Sequence, residues 1–369
     1  VTIPLSGPDI QPQDIEAVVS VMKTPHLSLG PKLKEFEQKM AAYTGVKHAI
    51  AVNSGTSALH LIIRALGVQP GDEVITTPFS FVASSNCILF EGGKPVFVDI
   101  DPTTYNIDIN LIEQAITSKT KGILAVDVFG QPPDLDFLSD LARKHDLFLI
   151  EDSAEAIGAT YKGRKAGSLG DVGLFAFYPN KQMTTGEGGI IVTDSDEMAM
   201  LCRSMRNQGR DEGAGWLQHA RLGFNFRLSD INCALGITQL ERLDDMLTKR
   251  AQVATWYNHR FEDVADVKTI CISPDVKMSW FVYVIRLAEH YSREDRDGIL
   301  EKLRDSGIQC SNYFTPIHLQ PFYQQFGHVP GDFPVTEHVS ERTIALPFFN
   351  NLEEAQVENV VQQLKQFLK

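Results

Sequence analysis

From about residue 46 the chain alternates short, evenly apolar runs with stretches whose apolar positions recur every three or four residues. HAIAVN (48–53) reads as a buried strand, and TSALHLIIRALG (56–67) reads as an amphipathic helix stopping at Gly67. EVITTP, PVFVDID, KGILAVDVFG and LFLIEDSA continue as strands, with FVASSNCILFEGG, DINLIEQAI and LDFLSDLARKH as helices between them. GLFAFYP (173–179) and GGIIVTD (188–194) read as two further strands. This rhythm predicts a mostly parallel α/β sheet with helices on both faces.

Beyond it the pattern changes. Residues 195–207 and 229–262 read as long helices, and WFVYVIRL, EDRDGILEKLRDSG and EAQVENVVQQLKQFL alternate strand and helix in a smaller unit. The expected division is a large cofactor domain, 1–250, and a small carboxy-terminal α+β domain, 251–369. The boundary falls near 245–265, inside a helix rather than in a loose tether.

Composition narrows the function. With 369 residues, 43% apolar and 22% charged, the chain can build a substantial core. A net charge of −13 argues against nucleic-acid binding, which needs a basic surface. Five dispersed cysteines without CxxC spacing, and ten scattered histidines, give no zinc or other metal site. They fit a reduced, cytoplasmic setting. No apolar run approaches the roughly 20 residues of a membrane helix, and the amino terminus lacks signal-peptide character.

Ligands of parallel sheets sit at the carboxyl ends of strands, and three strand ends carry chemistry here. NSGTSAL (53–59) starts a helix with Gly, Thr and Ser, which suits an anion but equally suits an ordinary cap. Asp152 ends an apolar strand, where a carboxylate needs a cationic partner or a helix to cap. Lys181, in PNKQMTTGEGG (179–189), follows another apolar strand and precedes three glycines. A phosphate-loop lysine follows its glycines, so this is no nucleotide-hydrolysis loop. A phosphate seat, an acid for a ring nitrogen and a lysine for an aldehyde are together what pyridoxal phosphate requires. Phe81, after EVITTP, offers an aromatic face or ordinary core packing.

GPKLKEFE, NSGTSAL, PFSFVASSN, PVFVDIDP, EDSAEAIGA, FYPNKQMTTGEGG, LGFNFRLSDINCALG and YFTPIHLQPFY occur in one order along the chain. In this it resembles the DegT/DnrJ/EryC1/StrS family of sugar aminotransferases, of fold type I among pyridoxal-phosphate enzymes. The resemblance implies that Lys181 anchors the cofactor's aldehyde and that Asp152 partners its ring nitrogen. It further implies that Thr56 and Ser57 hold the phosphate, that Phe81 stacks on the ring, and that Asn225 reaches the phosphate of a neighbouring subunit. A homodimer with shared active sites follows. Arg227 and His318 match substrate-facing positions, Arg227 fitting a structural ion pair equally well. Two positions depart from the family pattern: Ala176 where a phosphate-binding serine is common, and Glu155, near the ring hydroxyl, where many members have Gln.

The function expected is transfer of an amino group from glutamate to a nucleotide-linked keto-sugar, a 4-keto-6-deoxyhexose or a relative. A dehydratase of the same fold would have histidine in place of Lys181, and a non-enzymatic regulator would be expected to lose Lys181 or Asp152. No GxGxxG follows the first strand, which excludes a Rossmann dehydrogenase. A non-sugar cyclic ketone as acceptor stays open.

Overall fold

The computed structural model describes residues 2–213, 215 and 217–369. Two amino-terminal helices, α1 (Pro12–Met22) and α2 (Pro31–Thr44), lead into the alternating region. There the order is β1 (His48–Val52), α3 (Gly55–Ala65), β2 (Glu73–Thr76), α4 (Ala83–Phe90), β3 (Lys94–Phe97), a single α turn α5 (Ile109–Ile112) and β4 (Thr120–Val126). It continues with α6 (Leu135–Lys144), β5 (Phe148–Asp152), a small hairpin β6 (Thr160–Tyr161) and β7 (Arg164–Lys165), β8 (Val172–Ala176) and β9 (Gly189–Thr193).

Seven of these strands form one sheet in the order β1-β9-β8-β5-β4-β2-β3. Only β9 runs against its neighbours, β1 and β8; the other pairings are parallel. Strands covered on both faces need apolar residues throughout, and β2 and β9 are buried at every position. The expected fold, a fold type I α/β sheet flanked by helices, is the one found.

The chain then passes through α7 (Asp196–Arg206), α8 (Asp230–Glu241) and α9 (Leu243–Phe261). The single helix expected over 229–262 is therefore two, parted at Arg242. That residue leaves helical geometry (φ −107°, ψ 4°), and its guanidinium is held by Asp14 at 2.7 Å and the Asp9 carbonyl at 3.0 Å. The helix expected over 108–116 closes after α5 and one 3-10 turn, Glu113–Ala115.

β10 (Val267–Thr269), β12 (Tyr283–Leu287) and β13 (Thr343–Leu346) make an antiparallel sheet, while β11 (Val276–Lys277) joins the β6–β7 hairpin. α10 (Arg293–Asp305), α11 (Pro334–Ser340) and α12 (Glu354–Phe367) complete this part. The amino-terminal segment also belongs to it by contact, since Ile3 bridges to Ile308 and Phe348 donates to the Leu5 carbonyl. One apolar cluster runs from Ile50 and Ile62 beside the large sheet through Tyr257 to Val361 on α12. α9 thus fastens the two sheets to each other through a shared core.

Candidate active site

The carboxyl ends of β1, β2, β5 and β8 open on one cavity of about 1000 Å³. Its opposite wall comes from Phe281 and from the segment 312–323.

At the end of β1, Ser54 is extended (φ −164°) and caps α3, accepting from the Ser57 N–H at 3.0 Å. The first-turn N–H groups of Gly55 and Thr56 have no intrahelical acceptor, so this end of the cavity is electropositive. Ser54, Gly55 and Thr56 line the cavity. Ser57 does not; its hydroxyl accepts from Ser54 at 2.9 Å. A Cβ on Gly55 would come within 2.8 Å of the Ala176 Cβ, so only glycine lets α3 sit this close to the end of β8.

Asp152, 4% exposed, ends β5 and lines the cavity. The alternative of a helix cap falls away, because turns rather than a helix follow over 153–159. One carboxylate oxygen accepts from the Ser84 hydroxyl at 2.8 Å, the other from the Ala154 N–H at 3.2 Å. Burial raises its pKa, against which the Ser84 hydrogen bond is the largest opposing effect.

Lys181 stands beyond β8, its side chain 13% exposed, with Nζ 3.7 Å from a Glu155 carboxylate oxygen and 4.0 Å from the Phe281 ring centre. Burial lowers the Lys181 pKa, while Glu155 and Asp152 pull it back up. Burial likewise raises the Glu155 pKa, and Lys181 opposes that. Both partners move toward neutrality because dehydrating two charges outweighs their attraction at this depth. Glu155 is fixed from the other side by the Phe129 N–H at 3.0 Å.

The backbone of Lys181 is clamped as well. Fully buried Arg250, on α9, donates to the Lys181 carbonyl at 3.1 Å and to the Phe281 carbonyl at 3.0 Å. Burial draws the Arg250 pKa down to about 10. The next residue, Gln182, donates to the Ser279 carbonyl and hydroxyl.

Residues 8–365 match the DegT/DnrJ/EryC1/StrS aminotransferase family. The GDP-perosamine synthase of Caulobacter vibrioides is 39% identical over 99% of this chain and 98% of its own. Among solved structures, the putative sugar aminotransferase Spr1654 from Streptococcus pneumoniae, in its PMP-form, superposes with a TM-score of 0.95. It is 31% identical and covers 99% of this chain and 98% of its own. Helicobacter pylori PseC, an aminotransferase involved in the biosynthesis of pseudoaminic acid, gives the same TM-score at 31% identity, over 100% and 99% of the two chains.

The chain belongs to the DegT/DnrJ/EryC1/StrS aminotransferase family. Its activity class is that of the pyridoxal-phosphate-dependent sugar aminotransferases it matches, and pyridoxal phosphate is its cofactor. The residues present fit that group: one cavity joins a helix amino terminus for the phosphate, a carboxylate for the ring nitrogen and a lysine of lowered pKa for the aldehyde.

The other positions singled out from the sequence divide. Phe81 lies at the cavity with 63% of its surface exposed, so it is not core. Asn225 and Arg227 are outside the lining of this cavity. Asn225 is exposed, and Arg227 donates to Asn207 at 3.0 Å on a segment that bridges to Val52 at the end of β1. His318 is also outside it, fully buried, bonded to Glu337 at 3.0 Å and packed on Phe333. Its neighbour Ile317 lines the cavity instead. Ser84, within PFSFVASSN, and Phe281 and Arg250 are not singled out from the sequence, where they read as ordinary helix and strand positions.

Among the described residues no helix is long and apolar enough to cross a membrane, and no cluster of His, Cys, Asp and Glu could hold a metal ion.

Proposed function

We propose that this aminotransferase moves an amino group from glutamate to a nucleotide-linked keto-sugar, a 4-keto-6-deoxyhexose or a close relative, in amino-sugar biosynthesis. The observation that carries the reading is the meeting of Lys181 and Asp152 in one cavity that continues to the 312–323 wall. At about 1000 Å³ the cavity is at the upper end of the range for small-molecule sites, roughly 300–1,000 Å³, so a substrate fits beside the cofactor. The relatives named for perosamine and pseudoaminic acid support a sugar as acceptor.

Bound pyridoxal phosphate supplies an aldehyde that captures an amine and a ring that accepts the electron pair left when carbon loses a proton. Lys181 does the proton work. With its pKa lowered, Nζ could take the proton from the donor's α-carbon and pass it to the cofactor's aldehyde carbon, and it would run the same transfer in reverse with the acceptor. Glu155, 3.7 Å away, gives the ammonium a counter-charge without fixing it in a tight pair. Asp152 holds a proton on the ring nitrogen through its negative charge. Thr56 and the first turn of α3 hold the phosphate, with Ser57 behind them bracing Ser54. Phe81, exposed at the cavity, would offer its face to the ring.

The reading includes a homodimer with shared sites. Lys181 is the only cationic side chain among the described lining residues, which leaves a nucleotide's phosphates without a further cationic partner from the same subunit. Asn225, exposed and outside this subunit's cavity lining, and its neighbour Arg227 would serve a second subunit's cavity in this reading.

The test is an assay of glutamate against a panel of nucleotide-linked keto-hexoses and carbocyclic ketones. Equal amounts of 2-oxoglutarate and amino sugar, with no ammonia, are expected. Ammonia with a deoxygenated sugar would overturn aminotransfer in favour of dehydration. Reaction with a carbocyclic ketone alone would overturn the sugar.

A further inference from the structure

Asp152 does not stand alone beneath the cavity. Ser84, in the first turn of α4, places its hydroxyl 2.8 Å from one Asp152 oxygen, and the Ser80 hydroxyl lies 2.9 Å from that of Ser84. All three side chains are nearly shut from solvent, at 5% for Ser80, 2% for Ser84 and 4% for Asp152, and all three border the cavity.

Proton counting gives the chain a direction. A serine hydroxyl has one proton to donate, and an ionised carboxylate has none. Ser84 gives its proton to Asp152, so Ser80 must give its own to Ser84. The Ala154 N–H occupies the other carboxylate oxygen at 3.2 Å. Each oxygen thus has one fixed donor, which sets the carboxylate plane and leaves each a second lone pair for a group in the cavity.

We propose that Ser84 is a positioning residue for Asp152, and that Ser80 and Ser84 form a one-way hydroxyl relay aiming that carboxylate at the cofactor's ring nitrogen. The inference rests on the reading of Asp152 as the ring-nitrogen partner. The relay also supports ionisation, since a hydrogen bond donated to a buried carboxylate opposes the rise in pKa that burial causes. Removing the Ser84 hydroxyl frees the carboxylate to turn and makes its charge costlier.

The experiment compares binding of two probes to the apoprotein by fluorescence: pyridoxal phosphate, and its 1-deaza analogue, in which C–H replaces the ring nitrogen. Wild type should prefer the natural cofactor, because only it can meet Asp152. Ser84→Ala should cut that preference about tenfold, the size of one charge-assisted hydrogen bond, while leaving affinity for the deaza analogue unchanged. Ser80→Ala should move it in the same direction by less, and Ser84→Thr, which keeps the hydroxyl, should restore it. Equal loss of both probes in Ser84→Ala would show a packing role and overturn the inference. An unchanged preference would overturn it too. Failure of the underlying reading looks different: wild type and Asp152→Asn would then bind both probes with the same ratio.

Discussion

Arg250 is the residue through which α9 holds Lys181, and replacing it by methionine tests that link. The change keeps an unbranched apolar stem but removes the hydrogen bonds to the Lys181 and Phe281 carbonyls. Charge-assisted bonds of this kind are worth roughly 1.5–3 kcal/mol each. Against this, methionine escapes the cost of burying a guanidinium. The fall of the Arg250 pKa from 12.5 to about 10 puts that cost at about 3 kcal/mol. The balance is a destabilisation of about 2 kcal/mol. Spread over the unfolding entropy of a chain this long, it lowers Tm by only about 2–3 °C. The local effect should be larger, because the freed carbonyl belongs to Lys181 itself. We expect cofactor to leave the variant at least tenfold faster than wild type, measured by absorbance after dilution into a carbonyl trap, with Tm measured alongside. A lower Tm with unchanged cofactor release would refute the clamp and reduce Arg250 to a strut of the core.

Beneath the site, Glu151 and Asp127 are fully buried, each with one oxygen lacking a hydrogen-bond partner. Burial pushes Glu151 up to about 7 and raises Asp127 as well, and the nearby Glu151 carboxyl adds to the rise at Asp127. The folded state therefore holds a proton that the unfolded chain has released, and the stability Glu151 contributes is fully present below the ordinary carboxylate range and is lost as pH rises toward about 7. Urea midpoints across that window should show the slope, and Glu151→Gln should flatten it. Separately, Ala176→Ser would restore a hydroxyl against the first turn of α3, since Ala176 already meets Gly55 there. Cofactor affinity should rise by a factor of about 5–10, the worth of one added hydrogen bond; titration showing equal or weaker binding would place the phosphate elsewhere.

The sheet was legible because burial on both faces demands unbroken apolar strands, and the helices between them show the 3.6-residue period. Asp152 and Lys181 were legible for a related reason: polar chemistry just past an apolar strand is out of place unless a ligand meets it. Other features depend on partners distant in sequence. The break at Arg242 follows from Asp9 and Asp14, more than two hundred residues earlier, and no local signal marks it. Arg250 and Ser84 look like any helix residues until the fold sets them under Lys181 and Asp152. His318 shows the converse, for the YFTPIHLQPFY motif does reach the cavity, but through Tyr313, Ile317 and Tyr323, while the histidine turns to Glu337.

The two walls of the cavity come from separate stretches of chain. Lys181, Asp152, Ser84 and the α3 turn all precede residue 190, whereas the facing wall is Phe281 and residues 312–323. That facing wall hangs on short 3-10 turns, Ile317–Leu319 and Pro321–Phe326, rather than on the seven-stranded sheet. Mutations can therefore reshape what the enzyme accepts without disturbing how it handles nitrogen. A lineage built this way can explore new acceptors one loop residue at a time, each step passing through a working transaminase.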